Sequence, residues 1–201
     1  GRDALVADGL RGGEADRHAR GVAAALDRAG GQLRQGLDHL LAIHEDRQHR
    51  LWLGTLKGVA IFDPVSGRCQ NYANLSNDPD SLSNNIVLAI TQDDTGIFWI
   101  GTAGGGLNKY SHFRTRFQHV RHEPGNPNSL SQNTVRAFCE DRSGQRWIGT
   151  VGGGLNRYDP GSRQYQHYRN DPADPGSFGG ETVSAIFEDR AGNLWVGSWD
   201  D

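Results

Sequence analysis

The sequence predicts an all-β chain, an arc of four-stranded antiparallel propeller blades with about three and a half blades present. Three observations predict it. A tryptophan motif recurs as Leu51-Trp52-Leu53-Gly54-Thr55, Phe98-Trp99-Ile100-Gly101-Thr102, Arg146-Trp147-Ile148-Gly149-Thr150 and Leu194-Trp195-Val196-Gly197-Ser198, spaced by 47, 48 and 48 residues. Each full interval holds four short apolar, β-branched or aromatic runs bounded by Gly, Asp, Asn or Pro. The 3.6-residue periodicity of a helical solenoid is missing from these runs. Four short strands in a repeat of about 40–50 residues is the pattern of a propeller blade.

The elements follow in order, lettered a to d within each repeat. Strand a is expected near 40–45, 87–92, 135–140 and 183–188, ending in Glu45-Asp46, Gln92-Asp93, Glu140-Asp141 and Glu188-Asp189. Strand b carries the tryptophan, near 51–55, 98–102, 146–150 and 194–198. Strand c is expected near 58–62, 107–111 and 155–159, and strand d near 69–73, 117–121 and 165–169. The a–b turns read Asp-x-x-Gly, with Gly96, Gly144 and Gly192 placed where a positive φ is needed. The first repeat has His49 there, which predicts a strained or differently shaped hairpin. Gly104-Gly105-Gly106 and Gly152-Gly153-Gly154 join b to c, and are expected to let blade backbones crowd near the axis. The first repeat replaces them with Leu56-Lys57-Gly58, one residue shorter, which accounts for the spacing of 47. Polar linkers join the repeats, each with an apolar residue at a fixed place (Leu82, Leu130, Phe178) expected to plug the gap between blades.

The blades fall at about 38–80, 84–128, 132–176 and, in part, 180–201. Residues 1–37 do not repeat and read as an irregular linker, a distorted preceding blade or sequence foreign to the fold. The arc is read as an open piece of a larger propeller, because rings close with about four to eight blades.

Composition narrows the function classes. A net charge of −3 argues against a broad basic face for nucleic acid. Two cysteines make no disulfide framework, and Cys69 and Cys139 are expected as buried or half-buried thiols. No apolar run is long enough for a transmembrane span or a signal peptide. Glycine, at 28 of 201 residues, is about twice its average usage and serves turns.

The stretch Trp147 to Pro160, with Asn170 to Gly192, resembles the two-component regulator propeller repeat, and the resemblance covers about residues 38–201. It implies propellers of about seven blades in bacterial sensor proteins, outside the inner membrane. A membrane span and a histidine kinase or diguanylate cyclase would then follow. The expected function is a ligand-sensing extracytoplasmic segment on the periplasmic side of such a protein. A protein-interaction scaffold, or a catalytic propeller such as a lyase or glycoside hydrolase, is the alternative.

No residue is assigned to catalysis, metal or cofactor. The carboxylate pairs recur once per blade, which a catalytic pair has no reason to do. His119 and His167 are equivalent positions in strand d and read as repeat packing. Trp52, Trp99, Trp147 and Trp195 are expected to be mostly buried plugs between blades. The a–b turns are tight and uniform, so the ligand face is assigned to the b–c and d–a connections: Lys57, Asn85, Asn133, Glu181 and Trp199. Trp199 either stacks on a sugar ring, with Asn85 and Asn133 hydrogen bonding, or caps the end of the arc. The expected partners are a small soluble ligand, such as a glycan fragment, and further blades of the parent. No nucleic acid is expected, and a homodimer of the full-length sensor stays open.

Overall fold

The structure, a computed structural model, describes residues 39–111 and 116–199. The segment 1–37 singled out from the sequence lies outside the described residues. The first blade is β1 (Leu40–Glu45), β2 (Leu51–Thr55), β3 (Gly58–Phe62) and β4 (Cys69–Tyr72). The second is β5 (Val87–Gln92), β6 (Phe98–Thr102), β7 (Gly106–Tyr110) and β8 (Phe117–Val120). The third is β9 (Val135–Glu140), β10 (Arg146–Thr150), β11 (Leu155–Asp159) and β12 (Gln164–Tyr168). β13 (Thr182–Glu188) and β14 (Leu194–Trp199) form a two-stranded fourth unit. Each full sheet is antiparallel in the order a-b-c-d, and every boundary falls within one residue of the sequence expectation. Among the described residues there is no helix, and the sheets form an open arc.

β1 lies against β5, β5 against β9 and β9 against β13, so the first strands gather on the inner side and the sheets fan outward. Each of these inner strands skips a residue in its pairing with strand b, a β-bulge at Leu41, Leu88, Arg136 and Ser184. β2 and β6 are buried at every position, and β6 lies in the sheet that has a described blade on either side. Strand d is the outer edge: β4 is mostly exposed, and Cys69 is solvent-exposed rather than buried, while Cys139 is half-buried.

The core sits between blades. Trp52 stacks on Phe98 of the next blade at 3.6 Å between ring centroids, and Leu82 of the linker packs into the same cluster with Val87 and Ile100. One blade later Trp99 stacks on Phe138, beside Leu130, and the Arg146 guanidinium lies 4.6 Å over its ring. At the third interface Trp147 packs with Leu194 and Phe178. The residue preceding the tryptophan (Phe98, Arg146) therefore covers the tryptophan of the blade before, and Leu194 joins the same cluster as Trp147. Trp52 is 0% exposed and Trp99 5%, but Trp147 is half-buried and Trp195 is 63% exposed. The expectation of four buried tryptophans is corrected at Trp195, because no described residue follows in the covering position.

The glycine of the tryptophan motif packs directly against the next blade, whereas the middle glycine of each triplet packs against the preceding linker, at Ser83 and Ser131. A Cβ on Gly101 would sit 2.7 Å from the Val135 carbonyl and 2.9 Å from its Cγ1, in the next blade. The third glycine of the triplet instead crowds strand d of its own blade, where a Cβ on Gly106 would run into the Val120 carbonyl. Its N–H reaches forward and donates to Asn133 of the following linker at 2.7 Å.

Candidate functional site

One end of the arc carries the a–b hairpins and c–d loops. At each hairpin the aspartate ending strand a organises the turn. Asp93 Oδ1 accepts from the Thr95 and Ile97 N–H groups at 3.0 and 2.9 Å and from the Thr95 hydroxyl at 2.6 Å. Its Oδ2 accepts the Trp99 indole N–H at 2.8 Å. Trp52, Trp147 and Trp195 donate likewise to Asp46, Asp141 and Asp189 at 3.0, 2.7 and 2.9 Å. Burial pushes the Asp93 carboxyl up, but bonds from Thr95, Trp99 and Ile97, with the Arg146 charge nearby, leave it below the ordinary carboxylate range. The recurring carboxylates are thus spent on architecture. His49 shows the same economy. It adopts φ 60° and closes the turn with the same backbone bonds as Gly96, so the first hairpin is strained but not differently shaped.

The hairpins are uniform in backbone and not in charge. Arg47 donates to the Asp94 and Asp93 carbonyls of the next hairpin at 3.0 and 3.3 Å. Arg142, at the equivalent position, donates to the Arg190 and Asp189 carbonyls at 2.7 and 2.8 Å. Between the first two blades this end opens into a cleft of about 820 Å³ lined by Arg47, Arg50, Asp63, Gln92 and Ser111 among others. The sequence reading assigned the ligand face to the other end.

The opposite end carries the b–c and d–a connections and the sequence-predicted ligand residues, spread one or two per blade. Lys57 and Glu181 are exposed. The carbonyls of Asn85, Asn133 and Glu181 each accept an N–H from the preceding blade, from Gly58, Gly106 and Gly154, all at 2.7 Å. The Asn85 and Asn133 side chains are half-buried, and each Oδ1 accepts a backbone N–H at 2.7 Å, from Asn74 and His122. Their acceptor oxygens therefore brace the linker. Trp199 is 62% exposed, and the group over its ring is Arg136, with the guanidinium carbon 4.7 Å from the centroid.

Two further polar features recur from blade to blade. Asn108, fully buried, accepts from the Ser83 N–H at 2.9 Å and donates to the Ser83 hydroxyl and the Ile100 carbonyl. Asn156 repeats this with Ser131 and Ile148. The repeated Gly-Leu-Asn was the available signal, and the first blade has Ala60 there. Second, His119 and His167 bond the Ser81 and Ser129 carbonyls at 2.8 and 2.9 Å, which gives the strand-d histidines their repeat role. No cluster of His, Cys, Asp or Glu suited to a metal ion occurs among the described residues.

The chain matches the two component regulator propeller family at residues 81–104, 129–152 and 177–200. Among curated proteins none matches it by sequence. It is similar to the extracellular domain of a hybrid two component system from B. thetaiotaomicron, at 26% identity and a TM-score of 0.68, over 80% of this chain and 22% of that one. A second such extracellular domain from B. thetaiotaomicron is 20% identical with a TM-score of 0.55, over 80% of this chain and 26% of that one. Virginiamycin B lyase from Staphylococcus aureus, at 15% identity and a TM-score of 0.55, covers 79% of this chain and 48% of that one, and shares the fold alone. The chain thus spans about a quarter or less of the two-component extracellular domains it resembles. With its turn aspartates, covering residues and linkers recurring in the matched register, this chain carries three two component regulator propeller repeats.

Proposed function

We propose that this chain is a ligand-sensing propeller segment on the periplasmic side of a membrane-anchored bacterial signalling protein, with a hybrid histidine kinase as the output. The observation that carries the reading is the regulator repeat combined with likeness to the extracellular domain of a hybrid two component system. The site chemistry supports a binding role for the segment itself. Its recurrent carboxylates hold hairpins, while charge and aromatic surface vary from blade to blade at both ends. The test is the gene beyond Asp201. The expected result is a membrane span followed by a histidine kinase with a receiver domain. A gene continuing into further domains with no span would overturn the reading in favour of a scaffold.

A further inference from the structure

The four β-bulges place one unpaired residue per blade on the innermost strand: Leu41, Leu88, Arg136 and Ser184. The residue after each bulge is alanine in all four blades, so the frame is constant while the bulged side chain is not. A bulge re-aims the side chain it carries and is favoured beside functional sites. The b–c connection contributes a second varying position in each blade: Leu56, Ala103, Val151 and Trp199. In the last pair these two positions meet, as Arg136 of β9 lies over the ring of Trp199 at the end of β14. The equivalent pairs one and two blades earlier are Leu88 with Val151 and Leu41 with Ala103, all apolar. Arg136 and Trp199 thus depart together from an apolar pattern that the fold tolerates. Arg136 is half-buried, and among the described residues its guanidinium has the Trp199 ring and no carboxylate partner.

We infer that Arg136 and Trp199 form a binding site for a carboxylate carried on a ring. The guanidinium presents N–H donors in the fork geometry that matches a carboxylate. One indole face holds the guanidinium, and the exposed remainder offers a flat apolar platform for the ring that bears the acid. A uronic acid sugar and an aromatic carboxylate share this chemistry. The inference rests on the sensing role proposed above and gives it a ligand class.

Isothermal titration of the 201-residue chain tests it, with digalacturonate, the neutral disaccharide galactobiose and benzoate as probes. The variants are Arg136→Leu and Trp199→Val, the residues that the preceding blade carries at these positions, with circular dichroism confirming that each folds. Digalacturonate should bind saturably, and each variant should weaken it about tenfold or more, as loss of a charge-assisted contact does. Benzoate binding with the same sensitivity supports the shared chemistry with an aromatic source. Galactobiose binding as tightly as the acid would overturn the carboxylate class and leave the sensing role standing. The site is overturned if neither acid binds, or if acid binding is unchanged in both variants. Failure of the sensing role would show separately, as a parent gene without a membrane span.

Discussion

At the residue scale the decisive group is the hairpin aspartate. Asp93 is 3% exposed and holds two backbone N–H groups, a hydroxyl and an indole at once. Asp93→Asn keeps the shape but turns an N–H donor toward one of those donors, and should cost about 1.5–3 kcal/mol at neutral pH. The folded carboxyl titrates below its ordinary value, so its contribution is complete above the unfolded pKa of about 3.9 and fades as pH falls through the lower folded value. Thermal unfolding followed by circular dichroism should therefore show a wide gap between the parent chain and the variant near pH 7, and a much narrower one near pH 2. A gap of constant width would remove the carboxylate from this role. The Asp-x-x-Gly pattern made the turn legible in the sequence, because its spacing is local. The indole partner was not legible as a partner: the Asp and Trp of each blade were visible as repeats, but their pairing exists only once the hairpin brings them onto one face. The Arg136–Trp199 contact was hidden for the same reason. Its members lie in different blades, and only the bulge re-aims Arg136.

At the scale of elements, the spacing between blades is set by a glycine in strand b. Gly101→Ala places a methyl against the Val135 carbonyl of β9, backbone that cannot rotate away. The substitution should cost about 1–3 kcal/mol, the range for overpacking a close contact. The contacts at Gly149 are with side-chain atoms of Val183 and Ala137, so Gly149→Ala should be partly rescued by Val183→Ala, whereas Gly101→Ala should not be rescued by Val135→Ala. Urea midpoints of the four variants check this, and equal rescue at both sites would refute the backbone clash. Strands and their order were readable from the four-run repeat because each blade is built from hairpin-connected neighbours. The role of the motif glycine was not, since its closest contacts lie with the valine of the next blade; the triplet glycines drew attention through number.

At the scale of the molecule, burial falls along the arc. Trp52 is fully covered and Trp195 is 63% exposed, with Phe187 45% exposed beside it in the two-stranded unit. Hydrogen exchange should follow the same gradient. Amides of β6 and β7, in the sheet with neighbours on both sides, should be the slowest, and those of β13 and β14 should exchange through local opening well below the global unfolding free energy. Uniform protection across all four sheets would contradict a stability built at the interfaces.

The covering position before each tryptophan has a consequence for the order of the units. Phe98 stacks on Trp52, whereas Arg146 lies over Trp99, 3.0 Å from Glu140 and 3.6 Å from Asp93, and Leu194 packs with Trp147. The blades are near-copies in sequence, yet each is fitted to the particular neighbour before it. Excising the third unit would keep every strand in phase but bring Leu194 onto Trp99 and leave Asp93 facing an aliphatic side chain in place of a cation. Repeats that arise as copies are at first freely exchangeable, and one such side chain is enough to end that freedom. Each interface then acts as a lock for one successor, so the arc specifies which blade follows which.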